Sequence, residues 1–225
     1  QVGIGNGVLN QSNNQFGVYA QDDWSPTSRL TFNIGVRWDV ETGMFNRNYV
    51  TPQNVRDSLT AYRDSLFVDV DPARYFTDGS DRKLFLGAIQ PRFGVSYTLD
   101  EAAKTTLLAS FGVFYDRRNY HATTDETYKR QFHSYTFNFV DTAVTVPGSN
   151  LIQWQPQYAT KAGLEQLISG GGGTQETYLV PNDLKPPKSN QWALGRRHDF
   201  GGVNGSVSYN GSRGYNGYSN EWANL

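Results

Sequence analysis

The sequence has no cysteine in its 225 residues, which excludes a disulfide framework and a thiolate metal site. No apolar run approaches the roughly 18 to 20 residues that a membrane-spanning helix needs, so helical spanning is excluded as well. Charge of neither sign dominates: 20 Lys and Arg face 21 Asp and Glu, for a formal net charge of −1, and the pI is about 6.3. That balance supplies no basic surface for a polyanion, and no nucleic-acid partner is expected. The first residues, QVGIGNGVLN, have neither the basic start nor the apolar core of a signal peptide, so the chain reads as processed or as an internal piece of a longer one. Catalytic signatures are missing too. There is no G-x-S-x-G elbow, and GGGGTQ (170–175) lacks the Lys-Ser/Thr pair that grips phosphate and Mg²⁺. No enzymatic activity is expected.

What is present is alternation. In RLTFNIGVRWDVE (29–41), Leu30, Phe32, Ile34, Val36, Trp38 and Val40 are apolar, and the residues between them are small, polar or charged. Phe16, Val18 and Ala20 begin the same pattern upstream and are joined to it through an SPTS turn at 25–28, where Pro26 presets the turn dihedral. A second hairpin, about 89–116, carries Phe93, Val95 and Tyr97 and then Leu107, Ala109, Phe111, Val113 and Tyr115 on one parity, with Arg92 and Asp116 on the other. A third, about 189–213, carries Trp192 and Leu194, turns at Gly201-Gly202, and returns through Val203, Val207 and Tyr209. The connections alternate in length. Short turns join the strands of each hairpin, while about 42–88 and 117–188 are long and polar. Loops beyond about 12 to 15 residues are uncommon in a compact soluble domain, whereas outer-membrane barrels combine short periplasmic turns with long extracellular loops.

Two architectures produce such strands. In a closed transmembrane barrel, lipid demands an apolar residue at every second position while an aqueous lumen tolerates charge at the others. A long-stranded soluble sandwich alternates in the same way. The mean hydropathy of −0.59 does not separate them, because barrel strands average out as polar. On the barrel reading, Leu30, Phe32, Ile34, Val36, Trp38, Phe93, Val95, Tyr97, Phe111, Val113, Tyr115, Trp192, Leu194 and Tyr209 face lipid. Trp24, Trp38, Tyr97, Tyr115, Trp192 and Tyr209, at or near strand ends, form the interfacial girdles. Arg37, Asp39, Glu41, Arg92 and Asp116 then face the lumen, where they touch a plug or a substrate, or stiffen the wall as ion pairs. The parity of Asp22 and Asp23 is ambiguous.

The long segments are not featureless. Helical spacing of Val55, Leu59, Tyr62 and Leu66 after Pro52 predicts a short amphipathic helix within 51–67, and a second is predicted over about 160–169, stopped by the glycines that follow. Tyr120, Tyr128, Tyr135, Trp154 and Tyr158, with Gln155 and Gln157 nearby, pair flat rings with amides as a saccharide or peptide ligand requires; the same rings would serve equally to bury themselves beneath the loops. Asp69, Asp71, Asp78 and Asp81 are a candidate Ca²⁺ cluster without EF-hand spacing, and solvated loop charge explains them as well. His121, His133 and His198 match no metal-ligand spacing and are read as structural or surface residues.

FGVYAQDDWSPTSRLTFNIGVRWD (16–39), IQPRFGVSYTLD with TTLLASFGVFYDR (89–117), and PNDLKPPKSNQWALGRRHDFGGVNGSVSYNGSRG (181–214) resemble TonB-dependent outer-membrane receptors of the type with a carboxypeptidase-regulatory-like domain. The resemblance covers the three hairpins and not the long loops. It implies an all-β, antiparallel transmembrane barrel of about 22 strands around a plug, in the bacterial outer membrane. Such receptors import siderophores, cobalamin, glycans or peptides with energy delivered by the TonB complex, in some cases beneath a surface lipoprotein. This sequence departs from that pattern. It has no recognisable plug or TonB box, so residues 1–225 are expected to be part of one barrel domain. Arg196 stands where the family pattern places an apolar residue. An outer-membrane structural or adhesion protein is the alternative from another class.

Overall fold

The computed structural model describes residues 1–61, 63–65, 71–116, 119–141, 151–170 and 174–221. In chain order the elements are β1 (Val2–Gly5), β2 (Gln15–Thr27), β3 (Leu30–Glu41), α1 (Gln53–Ala61), β4 (Ala88–Thr98), β5 (Thr105–Tyr115), α2 (Asn119–Gln131), β6 (Phe132–Thr136), β7 (Asn138–Val140), β8 (Leu151–Gln153), α3 (Lys161–Ser169), β9 (Thr174–Gln175), β10 (Lys188–Asp199) and β11 (Asn204–Tyr215). Contacts divide the chain into two compact units, one of residues 1–12 and 121–180, the other of 13–120 and 181–225.

The larger unit is built on a six-stranded antiparallel sheet in the order β11-β10-β5-β4-β3-β2. Each hairpin pairs with its neighbour, and β5 and β10 lie side by side although the long segment separates them in sequence. The sheet is not closed: β2 and β11 are its edges. Pro26 does not end β2. The strand continues through Thr27 past a register shift between Trp24 and Thr27, and the turn is 28–29 rather than the four residues SPTS, because that irregularity accommodates a proline that has no N–H to give. The short turns share one end of the sheet, where Arg29 of the first reaches Glu101 of the second at 3.1 Å.

The segment between β3 and β4 folds as a tied-down cap. Arg82, only 2% exposed, donates from Nη1 to the carbonyls of Phe45 and Asn46 at 3.0 and 3.3 Å and from Nε to Asn182 at 3.1 Å. Arg56 donates to the Thr51 and Thr77 carbonyls at 3.2 and 2.6 Å, and Arg74 pairs with both Asp183 oxygens at 2.9 Å. Such charge-assisted bonds add to a small apolar core in this segment, where Met44, Phe45 and Tyr49 are buried. Helix α1 lies inside the predicted range, although Tyr62 and Leu66 fall outside the described residues.

The smaller unit contains elements the sequence did not signal. Strand β6 pairs antiparallel with β1 and β9, and β7 runs parallel to β8. Helix α2 precedes β6, and Glu126 on it is buried and accepts from the Val180 amide at 3.1 Å. The predicted second helix is α3, with Thr160 as its N-cap.

Candidate functional site

Backbone register decides which side chains share a face, because directly paired residues project to the same side of a sheet. One row across the sheet reads Trp24, Phe32, Val95, Ala109, Leu194, Tyr209, and the next reads Asp22, Ile34, Phe93, Phe111, Trp192, Gly211. Leu30, Tyr97, Leu107 and Val207 continue this face toward the short turns, and Val36, Val113, Trp38 and Tyr115 continue it the other way. The parity read from the sequence therefore stays in phase across all six strands. Among the described residues many of these side chains are exposed, Val207 at 80% and Leu194 at 61%, while at the far end of the face Trp38 donates to the Leu86 carbonyl at 2.8 Å and Tyr115 packs near Phe85 at 5.8 Å.

Three details differ from expectation. Trp192 and Tyr209 stand at mid-strand rather than at strand ends, so of the expected girdle residues these two belong to the body of the apolar face. Asp22 pairs with Ile34 and takes the apolar parity, while Asp23 pairs with Asn33 and accepts its amide at 2.7 Å. Arg196 also takes the apolar parity, between Leu107 and Val207, three positions from the short-turn end, where its stem can carry the guanidinium to a polar boundary.

The opposite face is polar and narrow-waisted. Gly35, Gly94, Ser110, Gly112 and Ala193 run across its middle and leave a trough of about 620 Å³, flanked by Gln21, Asn33, Gln191, Asn210 and Ser212, with Arg92 its single charged residue. Arg92 lies over the Phe114 ring at 4.8 Å. Farther along, Arg37 Nε donates to both oxygens of Asp39, at 3.0 and 2.8 Å, within one strand rather than across strands, and Gln90 adds a third bond to Asp39 at 2.5 Å. Two of the expected lumen residues are placed otherwise. Glu41 is buried, 3% exposed, because the chain after β3 turns back over the strand end at Met44. One of its oxygens accepts from Asn13 at 3.0 Å. Asp116 lies just past β5, where its amide donates to the Pro187 carbonyl at 2.9 Å.

The proposed ligand aromatics do not form one cluster. Tyr128 stacks near Phe132 at 5.7 Å and Tyr135 near His133 at 6.4 Å. Trp154 and Tyr158 come together around Phe139, at 5.1 and 5.4 Å, a partner the sequence reading missed because it lies beyond a stretch of separate chain. The Tyr120 side chain is outside the described residues.

The acidic cluster is dispersed among local turns. Asp71 caps a short 3₁₀ helix through the Ala73 amide at 3.1 Å, Asp78 accepts from Ser80 at 2.6 and 2.9 Å, and Asp81 accepts from the Asp78 amide at 3.1 Å. Asp69 is outside the described residues. Among the described residues no three His, Asp or Glu side chains are grouped to hold a metal ion. His198 bonds Thr105 across the strand pair at 2.7 Å, a structural use. The His121 side chain is not among those described.

A family model described as an outer membrane beta barrel domain matches residues 2–225. The chain belongs to that outer membrane beta-barrel family. It is thus a protein of the bacterial outer membrane, and lipid is its surroundings. No curated protein and no solved structure shows significant similarity to it. For an outer-membrane barrel protein, an uncovered apolar face alternating with a polar one is the expected wall, since hydrocarbon takes the first and water the second. The soluble sandwich is excluded by the same membership.

Proposed function

We propose that this outer-membrane barrel protein is the wall of a TonB-dependent receptor that imports a scarce or bulky nutrient. The observation that carries the reading is the contrast between the two sheet ends. The turns at 28–29 and 99–104 are short, while the segments after β3 and after β5 are long and structured, one held by arginines of which Arg82 is buried and the other folded largely as a unit with its own helices. A passive pore needs no such folded segments. A receptor needs one to recognise its ligand before the barrel admits it. The apolar face meets acyl chains, and the polar trough with Arg92, Gln21 and Gln191 lines the lumen, where a plug coupled to the TonB complex gates passage. The chain's own residues supply no covalent chemistry on this reading.

The test is energy dependence. Accumulation of the nutrient in the producing cells is expected to collapse on adding a protonophore and on loss of the TonB complex. Accumulation that survives both treatments contradicts an energised receptor and leaves a passive channel or a surface structure.

A further inference from the structure

We infer that the segment Gln153–Tyr158 with Phe139 is a binding platform for a neutral saccharide. The inference names the ligand class of the receptor reading and rests on it for the route inward, but the platform's geometry lies wholly within the smaller unit.

The platform is assembled from backbone upward. Pairing of β7 with β8 sets Phe139 opposite Ile152, and the Trp154 amide then donates to the Val140 carbonyl at 2.8 Å. Pro156 opens a 3₁₀ turn over 156–159 that brings Tyr158 back against the same ring. Phe139, Trp154 and Tyr158 are in mutual contact, with centroids 5.1, 5.4 and 6.3 Å apart. The turn is seated on α3 without slack. Thr160 Oγ1 donates to the Gln157 carbonyl at 2.9 Å and accepts from the Gly163 amide at 3.2 Å. A Cβ on Gly163 would lie 2.0 Å from that same carbonyl oxygen, so only glycine allows this approach.

Trp154 is nevertheless 42% exposed. Gln153, Gln155 and Gln157 alternate around it, all exposed, and their side-chain amides make no hydrogen bond with the described residues. An exposed ring whose neighbours are free amides has two chemical offers. The ring face takes the C–H face of a pyranose, and each amide both donates to and accepts from hydroxyls. Charge narrows the class further. Residues 151–160, LIQWQPQYAT, contain no ionisable acid or base apart from a tyrosine, and the first charges after them, Lys161 and Glu165, face each other at 3.4 Å. Within 151–160 a charged ligand finds no counter-charge, Asp141 just past β7 would repel an anion, and an aliphatic ligand would strip water from the amides without replacing their bonds. A neutral polyol satisfies both parts. Because the rings are fixed by one another and by α3, little side-chain entropy is lost on binding.

The test uses the full-length protein in detergent and isothermal titration with neutral hexasaccharides of glucose, xylose, mannose and N-acetylglucosamine, alongside a mixed Lys/Glu hexapeptide. At least one hexasaccharide is expected to bind, with roughly tenfold or greater weakening in Trp154→Ala. Gly163→Ala, which touches no ligand, is expected to weaken it as well, with heat-modifiable gel mobility unchanged in both variants. Binding of none of the sugars, binding insensitive to Trp154→Ala, or binding of the peptide alone overturns the inference. Sugar binding without protonophore-sensitive uptake instead overturns the receptor reading and leaves the platform standing.

Discussion

Gly211 carries no side chain because the ring of Trp192 occupies the place: a Cβ there would lie 2.3 to 2.5 Å from three indole atoms. The ring of one strand thereby covers the bare backbone of its partner on the edge strand, and the apolar face gains area where glycine alone would leave a gap. Phe114 does the same for Gly112 on the polar face, 2.8 Å from where a Cβ would stand, and is itself covered by Arg92. Gly211→Ala must push Trp192 off its position. A destabilisation of about 1 to 3 kcal/mol is expected for such overpacking, read as a lower urea midpoint of unfolding from detergent, with the Trp emission shifted. An unchanged midpoint would show that the indole moves freely. Residue identity also reveals its limits here. The alternation of Leu30 to Val40 was enough to assign a face, but Asp22 and Asp23 are two carboxylates in a row, and only pairing with Ile34 and Asn33 separates them.

Among elements, the hairpins were legible almost to the residue, since period-two alternation and a turn bound each strand on both sides. What failed was Pro26, read as a turn because its rigid φ suits one, yet tolerated in β2 within a register shift. The smaller unit was mostly illegible for two reasons. Helix α2, NYHATTDETYKRQ, has no apolar stripe to give a 3.6-residue signal, and β1 pairs with β6 across about 130 residues of chain, which no local pattern encodes. The turn at 99–104 makes a separate prediction. Asp100 accepts the Lys104 and Thr105 amides at 2.8 and 2.7 Å, and those bonds, that from Lys104 first, hold its carboxyl below the usual carboxylate range. A depressed folded value means the bonds are at full strength above the unfolded-state value, roughly 3.9, and are lost as pH falls through the folded one. The protection of the Lys104 and Thr105 amides, their exchange taken relative to the unprotected rate at each pH, is expected to fall only below about pH 4, and in Asp100→Asn to lose that dependence. Loss of protection already at about pH 5 to 6 would contradict the assignment. The cap after β3 rests on Arg82. Arg82→Ala leaves the Phe45 and Asn46 carbonyls and Asn182 short of a donor, a cost of about 2 to 3 kcal/mol, and limited trypsin digestion is expected to cut within 42–88 faster while the six strands stay resistant. Equal cutting rates would mean the cap is held elsewhere.

For the whole molecule, the decisive property is that one face of the sheet is apolar and, among the described residues, exposed over most of its length, while the other is polar. In lipid a sheet also cannot leave the backbone of β2 and β11 unpaired, so both edges need partners in the membrane. The position of the ligand platform was half legible: Trp154 and Tyr158 were marked by their amide neighbours, but Phe139 joins them only through the parallel pairing of β7 with β8. The absence of native cysteine gives the most direct test of the membrane-facing wall. Single cysteines placed in turn along β3 from Leu30 to Trp38, each spin-labelled in the full-length protein in lipid bilayers, report collision with dissolved oxygen against a water-soluble nickel chelate. Oxygen is expected to dominate at Leu30, Phe32, Ile34 and Val36 and the chelate at Thr31, Asn33 and Gly35, a period of two residues in phase with the strand. Equal accessibility at neighbouring positions, or chelate access at Ile34 as high as at Asn33, would contradict it.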